Sequence, residues 1–408
     1  MVGSAVIAVA MGVMNLSTYG FTVLAARWLG PPEYGQLAAA MGLLLILGVV
    51  SLGLQATAAR RIAAAPERPR RTQHEVMAAT GRAALFVGAL TLLAVPVLSS
   101  VLRLDLAVAV LVALAAVPLT VMGGQAGVLQ GERRWLPLAL LFAAMGLGRL
   151  GFGVAALLVE ASASSAMVAV ALGAVAPAVV GAVALRRTPA DAAVDLPADA
   201  HAHSVLTEVM HNSHVLLAFF ALSNCDILVA RAVLDDHASG LYAGGLILAK
   251  AVLFLPQFIV VLVFPSMSAD TSRRGVQAKA LGLILAMGLV VVGVVAVAPQ
   301  VAVLFIGGAE YAELEPVIWV FAVLGTLLAM VQLQVYAVVA RQHAAAVFVL
   351  WAGLVAVLAL TPLIDSLQML LAVMVGVQGC VLVGLGVASR RSGAPRPVTA
   401  TTAAATPD

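Results

Sequence analysis

The chain has 408 residues, of which 63% are hydrophobic and 10% charged, with a mean hydropathy of +1.09. A soluble domain is nearer half apolar and a quarter charged, so this composition excludes a water-soluble enzyme or binding module. A net charge of +3 and a pI near 9.1 would suit a nucleic-acid partner, but the basic residues follow a membrane topology rather than forming a patch.

Twelve apolar stretches follow one another, near residues 3–26, 36–58, 83–101, 106–129, 136–159, 167–185, 206–230, 241–264, 280–298, 316–340, 344–362 and 367–387. Most are long enough, at ~1.5 Å per residue, to cross a ~30 Å hydrocarbon layer as helices. Between the first and second, Gly30-Pro31-Pro32 cannot continue a helix, because proline lacks the amide donor and pushes its predecessor out of the α region. Gly35 then permits a tight entry into the second span. Residues 186–205 are polar and contain proline, which reads as a linker. Residues 389–408 are rich in Pro, Thr and Ala and read as a disordered tail.

Alternate gaps differ in charge. Of the 22 Lys and Arg residues, 17 fall in one set of gaps and only Arg27, Arg103 and Arg231 in the other. Cytoplasmic connections carry the cationic excess, so an even number of spans with both termini in the cytoplasm is expected. Arg149 and Lys250 remain, inside apolar stretches. The expected organisation is a first six-helix bundle over 1–185, a cytoplasmic linker over 186–205, a second bundle over 206–388 and the tail over 389–408. The first apolar run is too long for the core of a cleavable signal peptide and lacks a basic leader. Cys225 and Cys380 lie in apolar stretches and read as packing residues.

The two halves share a weak repeat. Ala26-Arg27, Leu29 and Gly35 lead into Leu37-Ala38-Ala39, as Ala230-Arg231, Leu234 and Gly240 lead into Leu241-Tyr242-Ala243. Six spans per half give both halves the same orientation, which implies a pseudo-two-fold axis along the membrane normal and a cavity between bundles.

Residues 25–44, AARWLGPPEYGQLAAAMGLL, carry a small-Arg-x-Leu-Gly run, then an acidic residue, an aromatic and glycine. In order there follow Leu129-Gln130-Gly131-Glu132-Arg133, Gly148-Arg149-Leu150, Asp226, Gly240-Leu241-Tyr242-Ala243 with Lys250, and Phe264-Pro265. This series resembles the bacterial oligosaccharide and O-antigen flippases, the polysaccharide biosynthesis membrane proteins of the multidrug/oligosaccharidyl-lipid/polysaccharide exporter superfamily. The chain departs from many members in having about twelve spans rather than fourteen. The resemblance implies an all-α integral membrane protein of the bacterial plasma membrane, folded like a multidrug exporter. It further implies movement of a polyprenyl-pyrophosphate-linked oligosaccharide from the inner to the outer leaflet, beside a polymerase and glycosyltransferases.

An ionisable group at mid-bilayer costs ~2.5–3.5 kcal/mol on the insertion scale, so such residues face a cavity or a partner. Arg149, about thirteen residues into the fifth stretch, is expected to line a central cavity and grip an anionic group. A buried structural arginine, satisfied by helix carbonyls, is the competing reading. Asp226 and Lys250 stand at depths a lysine can bridge, as an interhelical pair or as part of the path. Among uncharged polar residues, Asn15 and Gln257 are candidates on mid-span position alone; interhelical hydrogen bonding is the commoner use.

Gly146-Leu-Gly148-Arg-Leu-Gly151 matches a dinucleotide-binding pattern, but inside a span its glycines suit close helix packing. His201, His203, His211 and His214 read as a polar linker and the wet end of the seventh span rather than a metal site. No nucleophile–base pattern, P-loop or HExxH is present, so no catalytic residue or cofactor is expected. Two other functions compete with flipping: an ion-coupled exporter of drugs or small molecules, and a non-transporting membrane scaffold of a polysaccharide assembly complex.

Overall fold

A computed structural model describes residues 2–67, 69–186, 209, 214–253, 273–339 and 344–391. The described residues are helical, with short 3₁₀ segments, turns and no strand. In chain order the helices are α1 (Val2–Ala64), α2 (Pro69–Leu93), α3 (Val95–Val101), α4 (Leu106–Gly131), α5 (Trp135–Val159) and α6 (Ala163–Leu185). The second half contributes α7 (His214–Leu222), α8 (Cys225–Val233), α9 (Asp236–Val252), α10 (Arg273–Val297), α11 (Pro299–Ile306), α12 (Ile318–Val339), α13 (Ala344–Leu360) and α14 (Leu367–Arg391). Eight of the described helices have the length and hydropathy to cross a membrane, and the bent pair α7–α8 makes up to nine. The first of these, α1, is two spans broken at Gly30 (φ 69°, ψ 172°), and α9 and α13 occupy the eighth and eleventh apolar stretches. Each of the twelve expected spans thus contains a described helix.

Local chemistry accounts for where the chain bends. At Gly30 a positive φ turns the backbone before Pro31 and Pro32, as the missing amides require. The third span breaks at Ala94, where Pro96 stands at the start of α3 and cannot extend α2. Its helix also begins earlier than expected: α2 starts at Pro69 and carries Arg71 and Glu75, an i,i+4 pair at 3.3 Å, in its polar first turns. The seventh span was expected to be continuous but bends by 44° between α7 and α8. Asn224 explains the break: its Nδ2 donates to the Phe220 carbonyl at 2.9 Å, and its backbone leaves the helical region at φ −132°. Side-chain caps start α6, where Ser162 accepts from the Ser165 amide, and α9, where Asp235 accepts from the Ala238 amide at 2.8 Å.

Within each half, equivalent helices meet through equivalent residues. Gly123 of α4 packs on the second span, where an added Cβ would stand 2.7 Å from the Ser51 Cα. Gly325 of α12 packs in the same way on α9, 2.8 Å from the Ala249 Cα. The Gln125 amide donates to the Ala178 carbonyl of α6 at 3.0 Å, and the Gln334 amide to the Leu382 carbonyl of α14 at 3.1 Å. Arg27 at the end of the first span donates to the Leu304 carbonyl of the other half at 2.8 Å; Arg231, ending the seventh, donates to the Leu102 carbonyl at 3.0 Å. The repeat glimpsed around Gly35 and Gly240 thus recurs in the packing of the described helices of the two halves. The expected linker after Arg186 lies outside the described residues, as does the tail beyond Arg391.

The bundles meet along α1, which packs on α4 and α5 of its own half and on α8 and α9 of the other. At the arginine-poor ends they touch backbone to backbone: a Cβ on Gly35 would lie 3.1 Å from the Gly240 Cα. The three arginines of that face all join the closure. Arg103 donates to the Arg231 carbonyl at 2.6 Å and to the Leu234 carbonyl. Arg231, almost fully buried, returns bonds to the Leu102 and Arg103 carbonyls, and the Asp236 carboxylate pairs with both guanidiniums at 3.3 and 3.0 Å. Burying the Arg231 cation is tolerated because its donors meet carbonyls and the Asp236 carboxylate, while Arg103 stays partly exposed.

Candidate functional site

Below this closure lies a cavity of about 240 Å³, walled by α1 and α5 of the first half and by α8 and α9 of the second. Asn15, Arg149 and Lys250 line it together, although they come from the first, fifth and eighth spans. Most of the remaining wall is apolar, with Thr18, Thr22, Tyr19 and Tyr34 interspersed.

Glycines set the depth at which Arg149 is held. A Cβ at Gly146 would stand 2.5 Å from the Met14 Cα, so only glycine lets α5 approach α1 beside Asn15. Gly173 of α6 lies against the Arg149 backbone, where a Cβ would be 2.9 Å from its Cα. The glycine pattern around Arg149 thus serves close packing at Gly146 and Gly148, while Gly151 faces open space.

Arg149 is 6% exposed, and its side chain reaches the cavity. No described residue accepts a hydrogen bond from its guanidinium, and no carboxylate among them balances its charge. This contrasts with Arg231, whose donors all find carbonyls, a hydroxyl or Asp236. The carbonyl-satisfied structural arginine considered for residue 149 is found at residue 231 instead.

Lys250 donates to the Asn224 Oδ1 at 3.1 Å, across from α9 to the break between α7 and α8. Asp226 lies within electrostatic range of it but is not among the lining residues. Its carboxylate accepts from the Ile227 amide at 2.8 Å, at the positive end of α8. The expected Asp226–Lys250 bridge is thus replaced by Asn224–Lys250, because the helix break turns Asn224 toward the lysine. Gln257 lies outside the described residues.

Two tyrosines not put forward from the sequence belong to the site. Tyr19 lines the cavity and donates to the Ile247 carbonyl of the other half at 3.0 Å, with its ring stacked on Phe305 at 6.0 Å. Tyr34 lines it from the second span, 4% exposed. Its position in the first-loop motif was the available signal, but motif and turn could not be separated without knowing what each residue touches.

Comparison with known proteins places this architecture. The profile of the polysaccharide biosynthesis protein family matches residues 2–270, and the chain belongs to that family. Its fold is similar to that of an inward-facing multidrug resistance MATE transporter of the MOP superfamily, with a TM-score of 0.71 at 11% identity over 93% of this chain and 94% of that one. It is also similar to the eukaryotic MATE transporter AtDTX14 (TM-score 0.61, 14% identity, 95% of each chain). A third similar structure is a MOP-superfamily transporter from Pyrococcus furiosus (TM-score 0.50, 14% identity, 95% of each chain). At such identities the likeness is one of fold. No curated protein sequence matches the chain.

Proposed function

We propose that this member of the polysaccharide biosynthesis family flips a polyprenyl-pyrophosphate-linked oligosaccharide across the bacterial plasma membrane. The observation that carries this reading is Arg149: a guanidinium buried between two bundles, without an acceptor among the described residues, on the wall of a cavity. An uncompensated cation at that depth is costly, and an anionic ligand relieves the cost. A diphosphate suits it, because a planar guanidinium binds phosphate oxygens bidentately. Lys250, on the same wall, adds a second positive charge already tethered by Asn224.

A cavity of about 240 Å³ holds a diphosphate and part of one sugar, not an oligosaccharide. Carriage of the full head group therefore requires the bundles to part, with the polyprenyl chain left in the lipid. With the arginine-rich ends cytoplasmic, the Arg103–Arg231–Asp236 closure seals the outer face, and loading takes place from the inner one. Rocking of the bundles about α1 then exchanges access. A basic cavity repels the cationic compounds that a drug exporter would take, and a scaffold has no need of an unpaired buried cation. In a strain lacking this protein, lipid-linked oligosaccharide should accumulate in the inner leaflet. Restoration by wild type and not by Arg149→Ala at equal membrane abundance supports the reading, and equal restoration by both contradicts it.

A further inference from the structure

The first-loop motif Gly30-Pro31-Pro32-Glu33-Tyr34-Gly35 divides into residues that build the turn and one that does not. Gly30 supplies the positive φ. Glu33 accepts from the Ala163 amide at 2.7 Å, satisfying the start of α6. Gly35 lets the halves touch at Gly240. Tyr34 has a different surrounding. Tyr34 is 4% exposed, yet it lines the cavity, and no described residue bonds its hydroxyl. A buried tyrosine hydroxyl normally finds a partner.

Two neighbouring phenols show the contrast. Tyr19 and Tyr311 both lie within electrostatic range of Tyr34. The Tyr19 hydroxyl is committed to the Ile247 carbonyl and that of Tyr311 to the Ala26 carbonyl at 3.2 Å, each bond running between halves. Of the three, only the Tyr34 hydroxyl is left for a ligand.

We propose that Tyr34 is a specificity-determining residue that hydrogen-bonds the sugar next to the pyrophosphate. This rests on the reading of Arg149 as the phosphate site. The two cations supply what phosphate oxygens need, whereas a neutral phenol both donates and accepts, as a sugar hydroxyl or N-acetyl group requires. Tyr34 would thus distinguish a loaded carrier from the bare polyprenyl pyrophosphate, which has the same anionic head but no sugar.

The test measures binding of two probes to purified wild type, Tyr34→Phe and Arg149→Ala in nanodiscs. One probe is polyprenyl pyrophosphate and the other polyprenyl pyrophosphate bearing one N-acetylhexosamine. Tyr34→Phe should weaken the glycosylated probe about 3–10-fold, the worth of one hydrogen bond, and leave the bare one within about twofold. Arg149→Ala should weaken both. Size-exclusion and thermal melting of each variant confirm that the compared proteins are folded. Unchanged affinity of Tyr34→Phe for the glycosylated probe, or equal weakening of both, overturns the role of Tyr34 while the phosphate site stands. Failure of wild type to bind either probe overturns the parent reading and this inference with it.

Discussion

Arg103 and Arg231 hold each other's backbone: Arg103 donates to the Arg231 carbonyl at 2.6 Å, and Arg231 to the Arg103 carbonyl at 2.8 Å. Each arginine belongs to a different bundle, so the pair ties the halves together on the arginine-poor face. Asp236 pairs with both and offsets their mutual repulsion. Any motion that parts the bundles on this side must break both carbonyl bonds and the Arg103–Asp236 pair.

Removing the tie should shift the population toward opening on that face. A hydrogen bond to a charged group is worth ~1.5–3 kcal/mol, and Arg231 makes two across the seam. Arg231→Ala is therefore expected to raise the fraction open at this face at least tenfold. A cysteine placed at Ala38 on the cavity wall, in a background lacking Cys225 and Cys380, reports this as faster labelling by a membrane-impermeant thiol reagent. An unchanged labelling rate would mean that the closure resides elsewhere.

Gly240 tests how closely the bundles must approach. A Cβ there would run into Pro31, 2.8 Å from its Cα and nearer still to its carbonyl, whereas at Gly35 it would meet Gly240 at 3.1 Å. Overpacking of this kind costs ~1–3 kcal/mol. Gly240→Ala should lower the melting temperature and loosen the closed state more than Gly35→Ala, as read by thermal unfolding and by the same labelling assay.

Glu33 joins the first-loop motif to α6 through the Ala163 amide. Loss of a comparable capping acceptor costs ~1 kcal/mol, so Glu33→Ala should destabilise by about that amount. Glu33→Gln keeps an acceptor oxygen and should lose less than half as much; chemical denaturation of the two variants compares them.

Arg149 offers a separation of stability from function. A buried cation with no partner among the described residues burdens the folded state, so Arg149→Met should raise the melting temperature of the unliganded protein by a few degrees. A structural arginine satisfied by carbonyls, as at Arg231, would instead be destabilised by the same change. Thermal melts of the two methionine variants, at 149 and 231, should therefore move in opposite directions.

Much of this was legible in the sequence because a bilayer imposes few solutions on an apolar chain. Run length and the arginine alternation indicated the spans, and Gly30-Pro31-Pro32 placed the first turn where the backbone breaks. Arg149 stood out because a cation in an apolar run demands an explanation, and Asn15 and Lys250 meet it at the cavity. Partnerships were less legible. Whether Lys250 reaches Asp226 or Asn224 depends on a 44° bend that one asparagine's backbone hydrogen bond produces. The three arginines of the poor face resembled noise in the topology count, yet they form the seam between bundles, since their partners are carbonyls distant in sequence. Tyr34 was hidden inside a motif whose other residues make a turn.

The central claim is that the Arg149 guanidinium carries the anionic head of a lipid-linked oligosaccharide between leaflets. The most direct measurement is a reconstituted leaflet assay with a fluorescent polyprenyl-pyrophosphate oligosaccharide, comparing wild type with Arg149→Ala at equal protein density. Translocation by wild type, reduced at least tenfold in the variant, is the predicted result. Equal translocation by both would remove Arg149 from the mechanism, and no movement by a folded wild type would contradict flipping of this cargo.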